Sequence, residues 1–298
     1  MATTITAKQV KELRDLTNAG MMDCKKALVA TDGDMKAAVD WLREKGIAKA
    51  AKKQSRIAAE GLSTIVVEGN KAVVVEVNSE TDFVAKNEKF LALLDEIAKT
   101  LIKSDVKTVE EALALKTEDG ETLNDKVVNA TAIIGEKITL RRFAIVEKAD
   151  DEVFGVYKHQ GGRISALTVL KGTQDAQIAK NIAMQVASMN PTYVSRNDMP
   201  ADVIAHEREI QTALLNNDPK LASKPDKVKA GIVEGRLSKS LEDMCLVDQE
   251  YFLDSDKKVG QFLKENGASC TTFVKYLVGE GIEKREDDFA AQVAAMAK

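Results

Sequence analysis

The chain has 298 residues, enough for roughly two domains and a sizeable buried core. Its 44% hydrophobic and 30% charged residues are those of a soluble globular protein, and with aromatics at 4% the core must be aliphatic. A net charge of −4 argues against nucleic acid or an anionic membrane as the main partner.

Cys24, Cys245 and Cys270 lie far apart with no Cys-x-x-Cys pair, which fits free thiols in a reducing cytoplasm. Lys8, Lys11 and Glu12 precede any long apolar run, so no secretory signal is expected. No apolar stretch approaches the ~18 residues of a bilayer span. The expected compartment is the cytoplasm.

Residues 1–54 predict a small helical module. Thr6 and Gln9 have capping-box spacing, and Val10, Leu13 and Leu16 follow at helical intervals. Asn18-Ala19-Gly20 ends that helix. A second spans about 22–29 and is broken by Thr31-Asp32-Gly33. A third spans about 34–45, with Gly46 as the residue that ends it. So thin a core suits a partner-docking unit. The alanine-rich stretch 46–60 reads as a partly helical linker. Its Lys49, Lys52, Lys53 and Arg56 suit an RNA contact or a solvated helical face.

Residues 55–147 predict a first α+β core subdomain. Strands near 62–67 and 72–77 flank the hairpin signal Gly69-Asn70. The polar run Asn78-Ser79-Glu80-Thr81-Asp82 is expected to leave the strand for a turn and a helix N-cap. A helix follows from about Thr81, carrying Phe90, Leu93, Leu94, Ile97 and Leu101 on one face. Phe83 then falls in its first turn, where the ring points into the core or into a partner. Helical pieces near 106–115 and 121–134 and a strand over 137–147 complete the unit.

Residues 148–282 repeat that plan. Strands near 153–158 and 164–170 flank His159-Gln160-Gly161-Gly162. A helix carries Ile178, Ile182, Val186 and Met189, and a last strand lies near 271–278. Aligning the copies sets Asp82-Phe83 against Asp175-Ala176: both aspartates fit a helix N-terminus, and the ring has no counterpart. An insertion over about 200–246 predicts a projecting antiparallel helical hairpin. Val203, Ile210 and Leu214 mark one helix; Val228, Ile232 and Leu237 mark the other; Pro219 and Pro225 turn the chain between them. The tail, 283–298, sets Phe289, Val293 and Met296 at the spacing of an amphipathic helix.

No phosphate-binding loop and no Gly-x-Gly-x-x-Gly occurs. The two histidines, His159 and His206, have no cysteine nearby in sequence, which argues against zinc and against a Ser-His-Asp centre. His159, at a hairpin tip, reads as a solvated turn residue or a partner contact. The pattern is that of a binding or regulatory protein and not an enzyme, with no cofactor or metal expected.

Two segments carry a resemblance. One runs from Leu13-Arg14 through Thr17-Asn18-Ala19-Gly20-Met21-Met22-Asp23-Cys24-Lys25-Lys26-Ala27-Leu28; the other is Glu76-Val-Asn-Ser-Glu-Thr-Asp-Phe-Val-Ala-Lys86. Both resemble the bacterial elongation factor Ts family, nucleotide-exchange proteins that act on the translational GTPase elongation factor Tu. One departure is Asn18, where the family usually has glycine; asparagine tolerates a left-handed bend. The resemblance implies an α+β fold: an N-terminal three-helix module, a two-part core of antiparallel sheets with helices, an inserted antiparallel coiled-coil hairpin and a C-terminal helical module at 283–298. It implies that Thr81, Asp82, Phe83 and Val84 dislodge magnesium from GDP-bound elongation factor Tu. It implies that Arg14, Met21 and Met22 touch the GTPase domain and His159 another domain, and that the C-terminal helix also makes contact. One of the two methionines could instead be core. A non-catalytic adaptor and an RNA-binding protein are the alternative functions. A homodimer through the core or the hairpin stays open.

Overall fold

The computed structural model describes residues 5–17 and 19–283. They divide into two compact units. One holds the described chain up to Val146 with Gln160–Arg163 and the residues from Tyr276 on; the other holds Glu147–His159 and Ile164–Lys275.

The first unit opens with three helices, α1 (Ala7–Thr17), α2 (Met21–Ala30) and α3 (Met35–Ala51). Thr6 and Gln9 form the expected cap: the Thr6 amide donates to Gln9 Oε1 at 3.0 Å and the Gln9 amide to Thr6 Oγ1 at 3.3 Å. Val10, Leu13, Cys24, Ala27, Leu28 and Ala38 make a small core among the three. Asp32 and Gly33, both with positive φ, turn the chain, and Asp34 caps α3 by accepting from the Ala37 amide.

Next come β1 (Glu60–Glu68), β2 (Lys71–Ser79), α4 (Asp82–Ala85), α5 (Glu88–Ile102), α6 (Val109–Ala114), α7 (Leu123–Ile134) and β3 (Thr139–Glu147). β1 and β2 pair antiparallel from Glu60↔Ser79 to Glu68↔Lys71, and β3 lies on the far side of β2. Val73, Val75 and Val77 pack with Phe90, Leu94 and Ile97 of α5 into the main core. Three expectations need correction here. Gly46 does not end α3: the helix runs on to Ala51, and a Cβ at Gly46 would stand 3.4 Å from that of Ala132 on α7. α3 runs close to α7 here, and the Arg43–Asp125 pair at 3.0 Å reinforces the contact. Nor do Asn78 and Ser79 leave the strand. They finish β2, buried, because Asn78 Nδ2 donates to the Glu60 carbonyl (3.1 Å) and Ser79 Oγ to that of Thr81 (2.9 Å). Finally, the helix expected from Thr81 is two helices. A single turn, α4, precedes α5, whose N-cap is Asn87.

The second unit comprises β4 (Glu152–His159), β5 (Ile164–Lys171), α8 (Ala176–Met189), α9 (Ala201–Asn216), α10 (Pro219–Ala222), α11 (Asp226–Met244), β6 (Glu250–Tyr251), β7 (Asp254–Lys258), α12 (Val259–Glu265) and β8 (Ser269–Leu277). β4 and β5 are antiparallel, and the sheet order is β4-β5-β8, the plan of the first unit. α8 starts on Asp175, whose carboxylate accepts from the Gln177 and Ile178 amides. Asn87 does that task for α5, so Asp82 is not the counterpart of Asp175. Phe83 sits on a turn the second unit lacks.

α9 and α11 lie side by side, joined by the Arg208–Glu234 pair (2.9 Å) and a Ser240 Oγ bond to Glu207 Oε1 (2.7 Å). Leu215, Val233, Leu237 and Leu241 are buried, Leu237 as expected, and Val203 packs against the Leu237–Leu241 cluster as expected; Ile210, Leu214 and Val228, also expected to mark the seam, are exposed. Among the described residues the fold is thus α+β with twelve α-helices and antiparallel strand pairs, and no helix is long and apolar enough to cross a membrane. The bend at Asn18 and, beyond Glu283, the tail helix lie outside the described residues.

Candidate functional site

Among the described residues, the corner between β2 and α5 presents the most exposed large apolar side chain: Phe83 is 79% exposed. Burial of its neighbours explains the orientation. Val84 and Ala85 face the core, and successive helical residues turn by about 100°, so Asp82 and Phe83 must face outward. The inward reading of the ring is excluded.

Two acidic side chains hold this corner. Glu136, in the loop between α7 and β3, accepts from the Thr81 hydroxyl at 2.6 Å and the Thr81 amide at 2.9 Å. Glu80 returns the arrangement, accepting from the Lys137 amide at 2.5 Å and pairing with Arg56 at 3.1 Å. Lys137 Nζ in turn donates to the carbonyls of Gln54 (2.7 Å) and Arg56 (2.9 Å). The α4 turn therefore stands on a cross-linked base, while the Asp82–Lys86 pair above it, 3.3 Å and solvent-exposed, adds little.

The N-terminal helices carry the other residues of this unit singled out by sequence. Arg14 is exposed on α1. Met21 and Met22 open α2 and are 49% and 62% exposed, so neither is core. Leu16, at the end of α1 that leads into α2, is also exposed. His159 belongs to the second unit. It ends β4, exposed, with Nδ1 2.9 Å from the Tyr157 hydroxyl. Thr81 to Val84, Arg14, Met21 and Met22 share one compact unit; His159 does not.

Sequence reasoning passed over Glu76, although it lies within the quoted segment. It is wholly buried on β2, yet its carboxylate meets Arg142 Nε (2.6 Å), Arg141 Nη1 (2.9 Å), the Gly279 amide (2.8 Å) and Asn78 Nδ2 (3.1 Å). Burial pushes this carboxyl upward, but the Gly279 amide and the two guanidiniums outweigh it and hold it below the usual glutamate value. The signal was a charged residue inside a valine run. Glu136 offered no such signal. Among the described residues, no group of His, Cys, Asp and Glu is placed to hold a metal ion.

The family model described as elongation factor TS matches residues 80–280, more than half of the chain, in a span that begins at the Glu80 corner. The chain belongs to the elongation factor Ts family of translation elongation factors.

Proposed function

We propose that this chain is a guanine-nucleotide exchange factor for elongation factor Tu, with no covalent chemistry of its own. The observation that carries the reading is Phe83, an exposed ring on a cross-linked corner in a member of this family. Asp82 and Phe83 enter the nucleotide-binding domain of the GDP-bound GTPase. Thr81 and Val84 fix the pair from either side. The inserted ring displaces the partner's magnesium-positioning elements, and GDP affinity falls. Linkage makes the effect reciprocal: nucleotide weakens the exchange factor's binding by the same factor, so GTP later expels it. A shift of about 1.4 kcal/mol changes affinity tenfold.

Arg14, Met21 and Met22 dock the 1–54 module on the same GTPase domain, where methionine suits an adaptable contact. His159 touches a second domain of the partner. α9 and α11 form the coiled-coil hairpin, residues 283–298 add a further contact, and the protein works in the cytoplasm. Lys49, Lys53 and Arg56 of the basic linker bond to Asp23, the Gly135 carbonyl and Glu80. Their engagement within the chain favours exchange over RNA binding.

The test is release of a fluorescent GDP analogue from elongation factor Tu with excess unlabelled nucleotide. Catalytic amounts of this chain should accelerate release many-fold. Binding without acceleration would leave an adaptor and sink the exchange mechanism.

A further inference from the structure

We propose that Glu136 is a positioning residue for exchange: it aims the Asp82-Phe83 pair by holding Thr81, so the wedge is set before the partner arrives. This rests on the exchange reading above. A ring that parts packed elements delivers its binding energy only if its base cannot yield. On a loose turn, part of that energy goes into ordering the turn, and the ring can relax outward.

Here the base is a four-residue helix, too short to be rigid by itself. Its N-cap, Thr81, makes no side-chain cap bond to the helix. The hydroxyl is turned the other way, to Glu136, and the amide joins it there, so both Glu136 oxygens are used on one residue. The carboxylate comes from a loop 55 positions along the chain, between α7 and β3. That loop is itself fixed, because the Lys137 amide donates to Glu80 and the Lys137 ammonium is held by two linker carbonyls. Opposite ends of the clamp therefore brace each other: Glu136 holds residue 81, and residue 80 holds residue 137. Removing Glu136 leaves Val84 and Ala85 in the core but frees the start of the turn that carries Phe83.

The isosteric amide should preserve the geometry. In Glu136→Gln the carbonyl oxygen accepts from the Thr81 amide, and the NH2 donates to the Thr81 hydroxyl, which has lone pairs to receive it. Glu136→Ala makes neither bond.

The experiment measures GDP-analogue release from elongation factor Tu across concentrations of full-length wild type, Glu136→Ala, Glu136→Gln, Phe83→Ala and the Glu136→Ala/Phe83→Ala double variant. Loss of two bonds to one charged group predicts a plateau release rate lowered roughly ten-fold or more in Glu136→Ala, with little change in the half-saturating concentration. Glu136→Gln should restore most of the plateau. In the Phe83→Ala background, Glu136→Ala should cost much less than it does alone, since most of its effect passes through the ring and only the aim of Asp82 is left to lose. An unchanged plateau, a rise only in the half-saturating concentration (the mark of a partly unfolded sample) or full additivity with Phe83→Ala would each overturn the proposal. If wild type accelerates and Phe83→Ala slows release while Glu136→Ala does not, the positioning role alone is lost. If wild type accelerates nothing, the exchange reading falls and takes the positioning role with it.

Discussion

Glu76 and Arg142 meet at 2.6 Å about a carboxylate that solvent does not reach. Arg141 closes the other oxygen at 2.9 Å, and the Gly279 amide donates to it from beyond the last strand. A buried charge is tolerable only when so fully met. Glu76→Ala strands two arginines and an amide. Both guanidiniums keep partial access to water, which places the cost near the low end for a broken buried pair, about 3 kcal/mol. Urea unfolding measures it; a loss under about 1 kcal/mol would mean the network is dispensable.

The same group sets an acid limit. Its folded carboxyl lies below the ordinary value of 4.5, because the Gly279 amide and the arginines outweigh the effect of burial. The stability it contributes is therefore fully present above that ordinary value. It drains away as pH falls from there through the depressed folded value. Glu76→Gln should be less stable than wild type at neutral pH and should converge on it in acid. Parallel stability curves across that window would show that Glu76 carries no proton linkage.

Two glycines predict opposite signs. Gly46 is interior to α3, and a Cβ there meets only the Ala132 methyl at 3.4 Å. Gly46→Ala should stabilise by about 0.5–1 kcal/mol through helix propensity. On β4, a Cβ at Gly155 would collide with the Ala179 carbonyl and the Thr168 hydroxyl, which are bonded to each other at 3.1 Å. Gly155→Ala should cost about 3 kcal/mol. Thermal melts of both variants would decide. Equal shifts of one sign would contradict the packing described for α3 on α7 and α8 on β4.

What was legible in the sequence was what short-range chemistry decides. Gly69-Asn70 turns the first hairpin, Thr6 and Gln9 cap α1, and Asp175 caps α8, all within a few residues of one another. What stayed hidden depends on distant partners. Gly46 looks like a helix stop until Ala132 is beside it. Asn78 looks like loop until the Glu60 carbonyl, 18 positions away on β1, supplies an acceptor. The hairpin seam was legible at Leu237 and Val203 but not at Ile210, Leu214 and Val228, because α9 and α11 have more apolar residues than buried positions and spacing alone did not say which set faces inward. Phe83 could not be oriented from periodicity, since four residues of helix show none.

Cys24 offers a probe of the N-terminal module. It is wholly buried, as is Cys245, and burial pushes both thiols upward. The thiolate is the reactive form, so alkylation at neutral pH requires opening. The core around Cys24 is one of six buried residues among those described, two of them alanine, and should open locally before the rest of the protein. Peptide mapping during timed alkylation should find Cys24 modified well before Cys245, at a rate that denaturant barely changes at first. Simultaneous labelling would mean that the module unfolds only with the whole.

Phe83→Ala separates folding from function most cleanly. The ring is mostly solvent-exposed, so truncation removes little from the core, and the melting temperature should move by no more than a surface change does, within about 0.5 kcal/mol of stability. As the wedge proposed above, the same ring should be worth about 2 kcal/mol or more in the complex. The saturated rate of GDP release should drop accordingly, while the pair Met21→Ala and Met22→Ala should chiefly raise the concentration needed for half-saturation. The difference follows from role. A docking contact is made equally before and after nucleotide leaves, whereas a wedge is fully seated only once nucleotide loosens. If Phe83→Ala instead raised the half-saturating concentration and kept the plateau, the ring would be a docking contact, and the displacement of magnesium would have to come from another part of the surface.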